Sequence, residues 1–273
     1  PNIWVMECAD VFKEGEYWYL TYSDVADRKV HYRYAKSLKG PWTKPANDIF
    51  DGIAFYAGKT MSNGTERYLA GWCPTRIGDG DEDQWGGSLV CHRMLFNADG
   101  TIDLKLPDGI DKKFTTLKKT VLIDKSGKAV KKEDSYVLSD VASVSFPRLD
   151  KTCKIEATVK ATGNDDAFGF AFGACDDKTE VYSIRFDLKN KQLVMSKDDL
   201  TRGTTPTQTN VALTVPADKL FKVKIVAEKS VCVMYVNDKI AFSNRIDKMP
   251  KNPWAIFTDK GTEISFSDIK VYE

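Results

Sequence analysis

The strongest constraint on this chain is the period of its apolar residues. From residue 10 to about 106, and again beyond residue 119, apolar and polar positions alternate along short runs, and almost no segment has a helical period. Val30, Tyr32 and Tyr34 fall on one face of such a run; Phe168, Phe170 and Phe172 alternate with Gly169, Ala171 and Gly173 in another. Turn residues break the runs: Glu14-Gly15, Asn63-Gly64, Asn97 to Gly100 and Asn237-Asp238-Lys239. Asn63-Gly64 suits a type I′ hairpin because both residues tolerate positive φ. A chain punctuated in this way is all-β.

The runs fall into two groups. Residues 1–110 read as repeated antiparallel meanders, the units from which β-propeller blades are built. A polar, turn-rich link follows, with Pro107-Asp108-Gly109 and then Lys112, Lys113, Lys118 and Lys119, and the domain boundary is set there. Residues 111–273 show a cleaner split into apolar and polar faces, as in Ile155, Ala157 and Val159, or Lys222 and Lys224 against Val223 and Ile225. Val231, Val233 and Tyr235 pair by pattern with Ile240, Phe242 and Asn244. This second region reads as a β-sandwich.

Composition narrows the function. With 273 residues, 42% of them apolar, the chain can bury a substantial core. Forty basic residues against 39 acidic ones leave a net charge of +1 with no basic arm, so neither nucleic acid nor a membrane surface is expected as a partner, and a neutral ligand fits better. The sequence begins at Pro1 without a signal-peptide pattern, which is read as a start inside a longer polypeptide and leaves the compartment open. Six scattered cysteines, Cys8, Cys73, Cys91, Cys153, Cys175 and Cys232, lack CxxC spacing and are expected as reduced, buried thiols. With His31 and His92 the only histidines, no metal site is expected, and His31 is read as structural. The acidic run Gly78 to Asp83 fails the EF-hand pattern, since Gln84 and Val90 stand where Gly and Glu are needed, and is read as a solvated loop. No phosphate-cradling glycine loop or Ser-His-Asp arrangement is present, and no cofactor is expected.

Chemistry concentrates near the start. Glu7 and Asp10 lie three residues apart, just ahead of the aromatic run Tyr17-Trp18-Tyr19-Leu20-Thr21-Tyr22. A carboxyl among Trp4, Val5, Met6, Cys8 and Val11 would be desolvated, which favours its protonated form and suits a general acid. The plainer reading is that both acids only hydrogen-bond the turn entering a strand.

The run Glu7-Cys8-Ala9-Asp10-Val11-Phe12 resembles the Glu-Cys-Pro-Asp motif of glycoside hydrolase family 32, the invertases, inulinases and levanases that cleave β-D-fructofuranosides. Further on, Asp51 with Phe55-Tyr56-Ala57-Gly58-Lys59-Thr60, Arg67 to Trp72, and Trp85-Gly86-Gly87-Ser88-Leu89 ending in Arg93 are similar to later motifs of that family, in the same order. Ala9 replaces the motif's Pro, Cys91-His92 replaces a Leu-Pro, and Ala54 stands where many relatives carry a polar residue. The resemblance implies the last blades of a five-bladed β-propeller followed by a concanavalin-like β-sandwich. It implies Glu7 as acid/base and Asp51, Tyr56, Lys59, Trp72 and Trp85 as substrate-binding residues. The family's nucleophile and transition-state-stabilising motifs, which precede the acid/base Glu, do not occur in this sequence. The expectation is therefore the C-terminal part of a hydrolase of oligo- or polysaccharides, inactive by itself. It would be completed by missing N-terminal blades or a complementary chain, or would dimerise through open strand edges. Two alternatives stand beside this reading: a non-catalytic carbohydrate-binding protein, and an arabinan- or xylan-active hydrolase of the related family 43.

Overall fold

The computed structural model describes residues 5–75, 86–149, 152–172, 180–199, 207–246 and 252–273. Strands dominate the described residues, which contain a single helical turn and divide into two compact units. One comprises Pro1–Asp111 with Asp238–Arg245, the other Lys112–Asn237 with Ile246–Glu273.

In the first unit, β1 (Met6–Glu14), β2 (Tyr17–Asp24) and β3 (Lys29–Ala35) form an antiparallel sheet in sequence order. Bridges from His31 to Ile49 and from Tyr34 to Thr43 add the chain 43–50 along the far side of β3, so the sheet has in effect a fourth strand. A second sheet holds β4 (Tyr56–Ser62), β5 (Arg67–Pro74), β6 (Gly87–Phe96) and β7 (Ile102–Lys105), also in order, and a single helical turn, α1 (Asp108–Asp111), ends the stretch. Rings fill the core of this unit. Phe12 stacks on Tyr19 at 5.3 Å between centroids, Tyr19 meets Phe96 at 5.1 Å, and Tyr32 stacks on Phe50 at 4.8 Å. Alternation in β2 and β3 puts Tyr19, Val30 and Tyr32 on this buried face, as the period of two dictates.

The second unit contains β8 (Leu117–Lys118), β9 (Asp124–Lys132), β10 (Ser135–Phe146), β11 (Cys153–Ala161), β12 (Ala167–Phe172), β13 (Glu180–Asp187), β14 (Gln192–Asp199), β15 (Thr207–Ala212), β16 (Leu220–Glu228) and β17 (Val231–Val236). After β18 (Ile240–Arg245), which belongs to the first unit, it closes with β19 (Trp254–Lys260) and β20 (Ile264–Tyr272). The hydrogen-bonded order runs β15-β14-β13-β12-β19-β10-β20-β11-β16-β17. Strand β10 joins the two layers of this sandwich. Its first half, Ser135–Leu138, pairs with β20, and its second half, Ala142–Phe146, pairs with β19. Between them lies a bulge marked by Asp140 at φ +53°, which bends the strand from one layer to the other. Phe168 and Phe186 from one layer meet Phe221 and Phe266 from the other, all four fully buried. The position after Phe168 is Gly169 because a Cβ there would sit 2.0 Å from the Ile184 carbonyl oxygen.

The pairing of β17 with β18 expected from the pattern is present in the hydrogen-bonded order, and residues 238–245 also group with the first unit by their contacts. The Leu104 amide donates to the Lys239 carbonyl at 2.9 Å, and the Ser243 amide donates to Asp51 Oδ1 at 2.7 Å. The Arg245 guanidinium donates to the carbonyls of Cys73 and Pro74. Alternation shows that a segment is a strand, but long-range polar contacts decide where it docks.

Candidate active site

Glu7 is placed by a β-bulge. Along β1 the register steps from Glu7 opposite Ser23 to Asp10 opposite Thr21, so three residues of β1 span two of β2, and Cys8 takes φ +51°. Strand β4 carries the same irregularity: Tyr56 is opposite Trp72 and Lys59 opposite Ala70, with Ala57 at φ +54°. A bulge twists its strand and re-aims the side chains beside it. Here two bulged strands, each the first of its sheet, are laced together by their side chains. The Tyr56 hydroxyl donates to Glu7 Oε2 at 2.9 Å, and Lys59 Nζ donates to the Ala9 carbonyl at 2.6 Å. Asp10 Oδ2 accepts from both the amide and the hydroxyl of Thr60, at 2.9 and 2.7 Å. Further along, Arg67 bonds Glu14 at 3.2 Å and lies over the Phe12 ring at 4.2 Å.

Among the described residues the apolar pocket expected around Glu7 does not form, and Trp4 lies outside them. Val5, Met6 and Val11 are exposed, and Glu7 itself is half-buried. Its one hydrogen bond among the described residues comes from Tyr56, which leaves Oε1 open. Burial, followed by the bond to Glu7 and that residue's charge, pushes the Tyr56 phenol above its ordinary value, so it stays a donor at any pH the protein meets. A half-buried carboxyl held by one donor, with its second oxygen unpartnered, can give a proton to an external oxygen or take one from water.

The other expected site residues divide. Tyr56 and Trp72 meet edge to face, 5.6 Å between centroids and 71° between planes, and the half-buried Trp72 keeps part of its surface accessible. Tyr56 is 3% exposed, so its ring face is covered, and its hydroxyl is the part that bonds Glu7. Lys59 is exposed and braces the bulge of β1. Asp51 is not brought to Glu7: it is 0% exposed, and its carboxylate is taken up by the amides of Gly52 and Ser243 and by His92 Nε2 at 3.1 Å. That environment makes Asp51 a tie between segments, not a surface acceptor for sugar hydroxyls. Ala54 is buried as well. Trp85, Cys175 and the acidic run 78–83 lie outside the described residues. The pairing of Asp10 with Thr60 and the twin bulges were missed in the sequence. The one signal available was the parallel spacing of Glu7-Cys8-Ala9-Asp10 and Tyr56-Ala57-Gly58-Lys59 ahead of similar strands.

Residues 100–271 match the family model described as GH32, BT1760-like, C-terminal domain, which is more than half of the chain. The chain belongs to glycoside hydrolase family 32. No curated protein matches this GH32 chain in sequence. Solved structures match its fold. A GH32 beta-fructofuranosidase of Bombyx mori, BmSUC1, aligns with a TM-score of 0.63 and 15% identity over 98% of this chain and 54% of its own. A fructosyltransferase from A. japonicus aligns at 0.69 and 13%, over 98% and 56%. An exo-inulinase from Aspergillus awamori aligns at 0.68 and 15%, over 98% and 57%. At these identities the likeness is one of fold. The GH32 chain spans about half the length of these structures.

Proposed function

We propose that this GH32 chain is the C-terminal part of a glycosidase acting on β-D-fructofuranosides of the sucrose, inulin or levan type, with Glu7 as its acid/base. The observation that carries this reading is the Tyr56 hydroxyl on Glu7 Oε2, at the bulge where the family-like motif lies. Family membership and the likeness to a beta-fructofuranosidase and an exo-inulinase support the substrate class. In a retaining mechanism Glu7 protonates the departing glycosidic oxygen while a second carboxylate, about 5–5.5 Å away, attacks the anomeric carbon; Glu7 then deprotonates the water that releases the sugar. The sequence holds no match to the family-like nucleophile motif, so in this reading the second carboxylate comes from further blades that complete a five-bladed propeller. Trp72 supplies a ring for sugar contact, and Tyr56, Lys59 and Asp10 hold the Glu7 strand in place. Among the described residues strand β1 is the outer strand of its sheet, and it exposes Met6 and Val11, with Val5 just before it, a surface suited to receive such blades.

Glu7→Gln tests the assignment in a polypeptide that joins this chain to nucleophile-bearing blades. Turnover of sucrose or inulin is expected to fall by about 10²–10⁴-fold. A fructoside with a nitrophenol-type leaving group, which departs without protonation, is expected to lose far less in its first step. Equal loss on both substrates, or none, overturns the role of Glu7.

A further inference from the structure

One cluster of donors lies outside the residues used above. The turn after β2 brings the carboxylates of Asp24 and Asp27 to the ring of His31, the third residue of β3, with their donor atoms all within 4.8 Å of one another. His31 is 7% exposed and fixed on two sides. Its ring stacks on Tyr22 at 5.5 Å and 14° between planes, and its Nδ1 bonds the buried carboxylate of Asp48 at 3.0 Å. The remaining nitrogen, Nε2, points at Asp27 Oδ2, 2.9 Å away. A carboxylate behind one imidazole nitrogen, orienting the other toward further oxygen ligands, is the arrangement that metal-binding histidines adopt. The cations Arg33 and Lys44 both address Asp48, while the Asp27 carboxylate is the one presented to Nε2. Asp27 is exposed, which opens the cluster to solvent and gives an ion a way in.

We propose that Asp24, Asp27 and His31 bind one transition-metal dication, zinc or manganese, at the β2–β3 turn. One imidazole nitrogen with two carboxylates suits these ions, whereas calcium and magnesium favour oxygen alone. Ligand bonds of about 2.0–2.2 Å put donor atoms no more than about 4.4 Å apart, so a small rotation of the half-buried Asp24 side chain completes the set. The ion takes the place of the hydrogen bond between Nε2 and Asp27. Register sets Asp24 opposite Met6 and Ser23 opposite Glu7, so the bound ion would stiffen the turn at the strand end that carries Glu7. The site is independent of the hydrolase reading.

Calorimetry on the full chain after chelator treatment, titrated separately with zinc, manganese and calcium chlorides, tests this. One equivalent of zinc or manganese is expected to bind, with calcium weaker. Affinity is expected to fall about tenfold or more in Asp27→Asn and to vanish in the Asp24→Asn/Asp27→Asn pair, while Cys8→Ser/Cys91→Ser leaves it unchanged. Both carboxamides keep the shape of partly exposed turn residues, and circular dichroism confirms that the variants fold. Absence of saturable binding, equal affinity for calcium, or loss of binding in the cysteine variant instead of the aspartate pair overturns the site.

Discussion

Two aspartates and a glutamate show how environment divides like groups at the scale of single residues. Asp51 has lost all contact with solvent and spends both oxygens on buried donors, while Glu7 keeps one oxygen open. Asp48 is a third case. Burial pushes its carboxyl up, but hydrogen bonds and charge from His31 and Arg33 outweigh that and hold it at about 2. For His31, burial disfavours the charged ring, but bonds to Asp48 and Asp27 prevail and raise its pKa above 6.5. The signs follow from linkage. The lowered Asp48 contributes stability above its ordinary 3.8 that is lost as pH falls through about 2. The raised His31 contributes stability below 6.5 that is lost as pH rises through its folded value. In metal-free protein the cluster formed with Asp27, Arg33 and Lys44 is therefore strongest between about 4 and 6.5. Urea midpoints at pH 5.5 and 8.5, measured with chelator present, are expected to differ more for the native chain than for His31→Gln. An unchanged difference would remove His31 from the account.

At the scale of elements, the bulges and the sheet edges carry the argument. The bulge in β10 lets one strand serve both sandwich layers, and the paired bulges in β1 and β4 set Glu7 against Tyr56. Strand β9 borders β10 and leaves its other edge open. All of its residues but Ala129 are exposed, and Lys125, Lys128, Lys131 and Lys132 line it, which discourages pairing with another chain. The stack of Phe168 on Phe186, ringed by Phe221 and Phe266, is the sandwich's central contact. Phe168→Ala is expected to destabilise the sandwich by about 3–5 kcal/mol, because a fully buried ring leaves a cavity its rigid neighbours cannot fill. Chemical denaturation followed by Trp254 fluorescence measures this, and a loss below about 1 kcal/mol would show that the layers relax into the gap.

At the scale of the whole molecule, the chain spans about half of the structures that share its fold, and among the described residues strand β1 is the outermost of its sheet. Two outcomes follow from reading it as part of a larger hydrolase. The chain assayed alone on sucrose, inulin and levan is expected to release no fructose; appreciable turnover would mean that the second carboxylate lies within these residues. Sedimentation is expected to show self-association that Val11→Lys, at 47% exposure on β1, weakens. A strictly monomeric native chain would mean that this edge is protected by other means.

The sequence by itself determined the all-β class, many of the strands and the family, because a period of two and a few ordered motifs are local properties of the chain. It also marked Glu7, whose neighbours in sequence carry the resemblance. Only the tertiary structure decided that Asp51 is sealed inside, that the Tyr56 hydroxyl bonds Glu7, that β18 makes polar contacts within the first unit, and that His31 faces two carboxylates. Each of these depends on a contact between residues that alternation and motif spacing leave unspecified, namely which polar group finds which partner once the strands have been brought together.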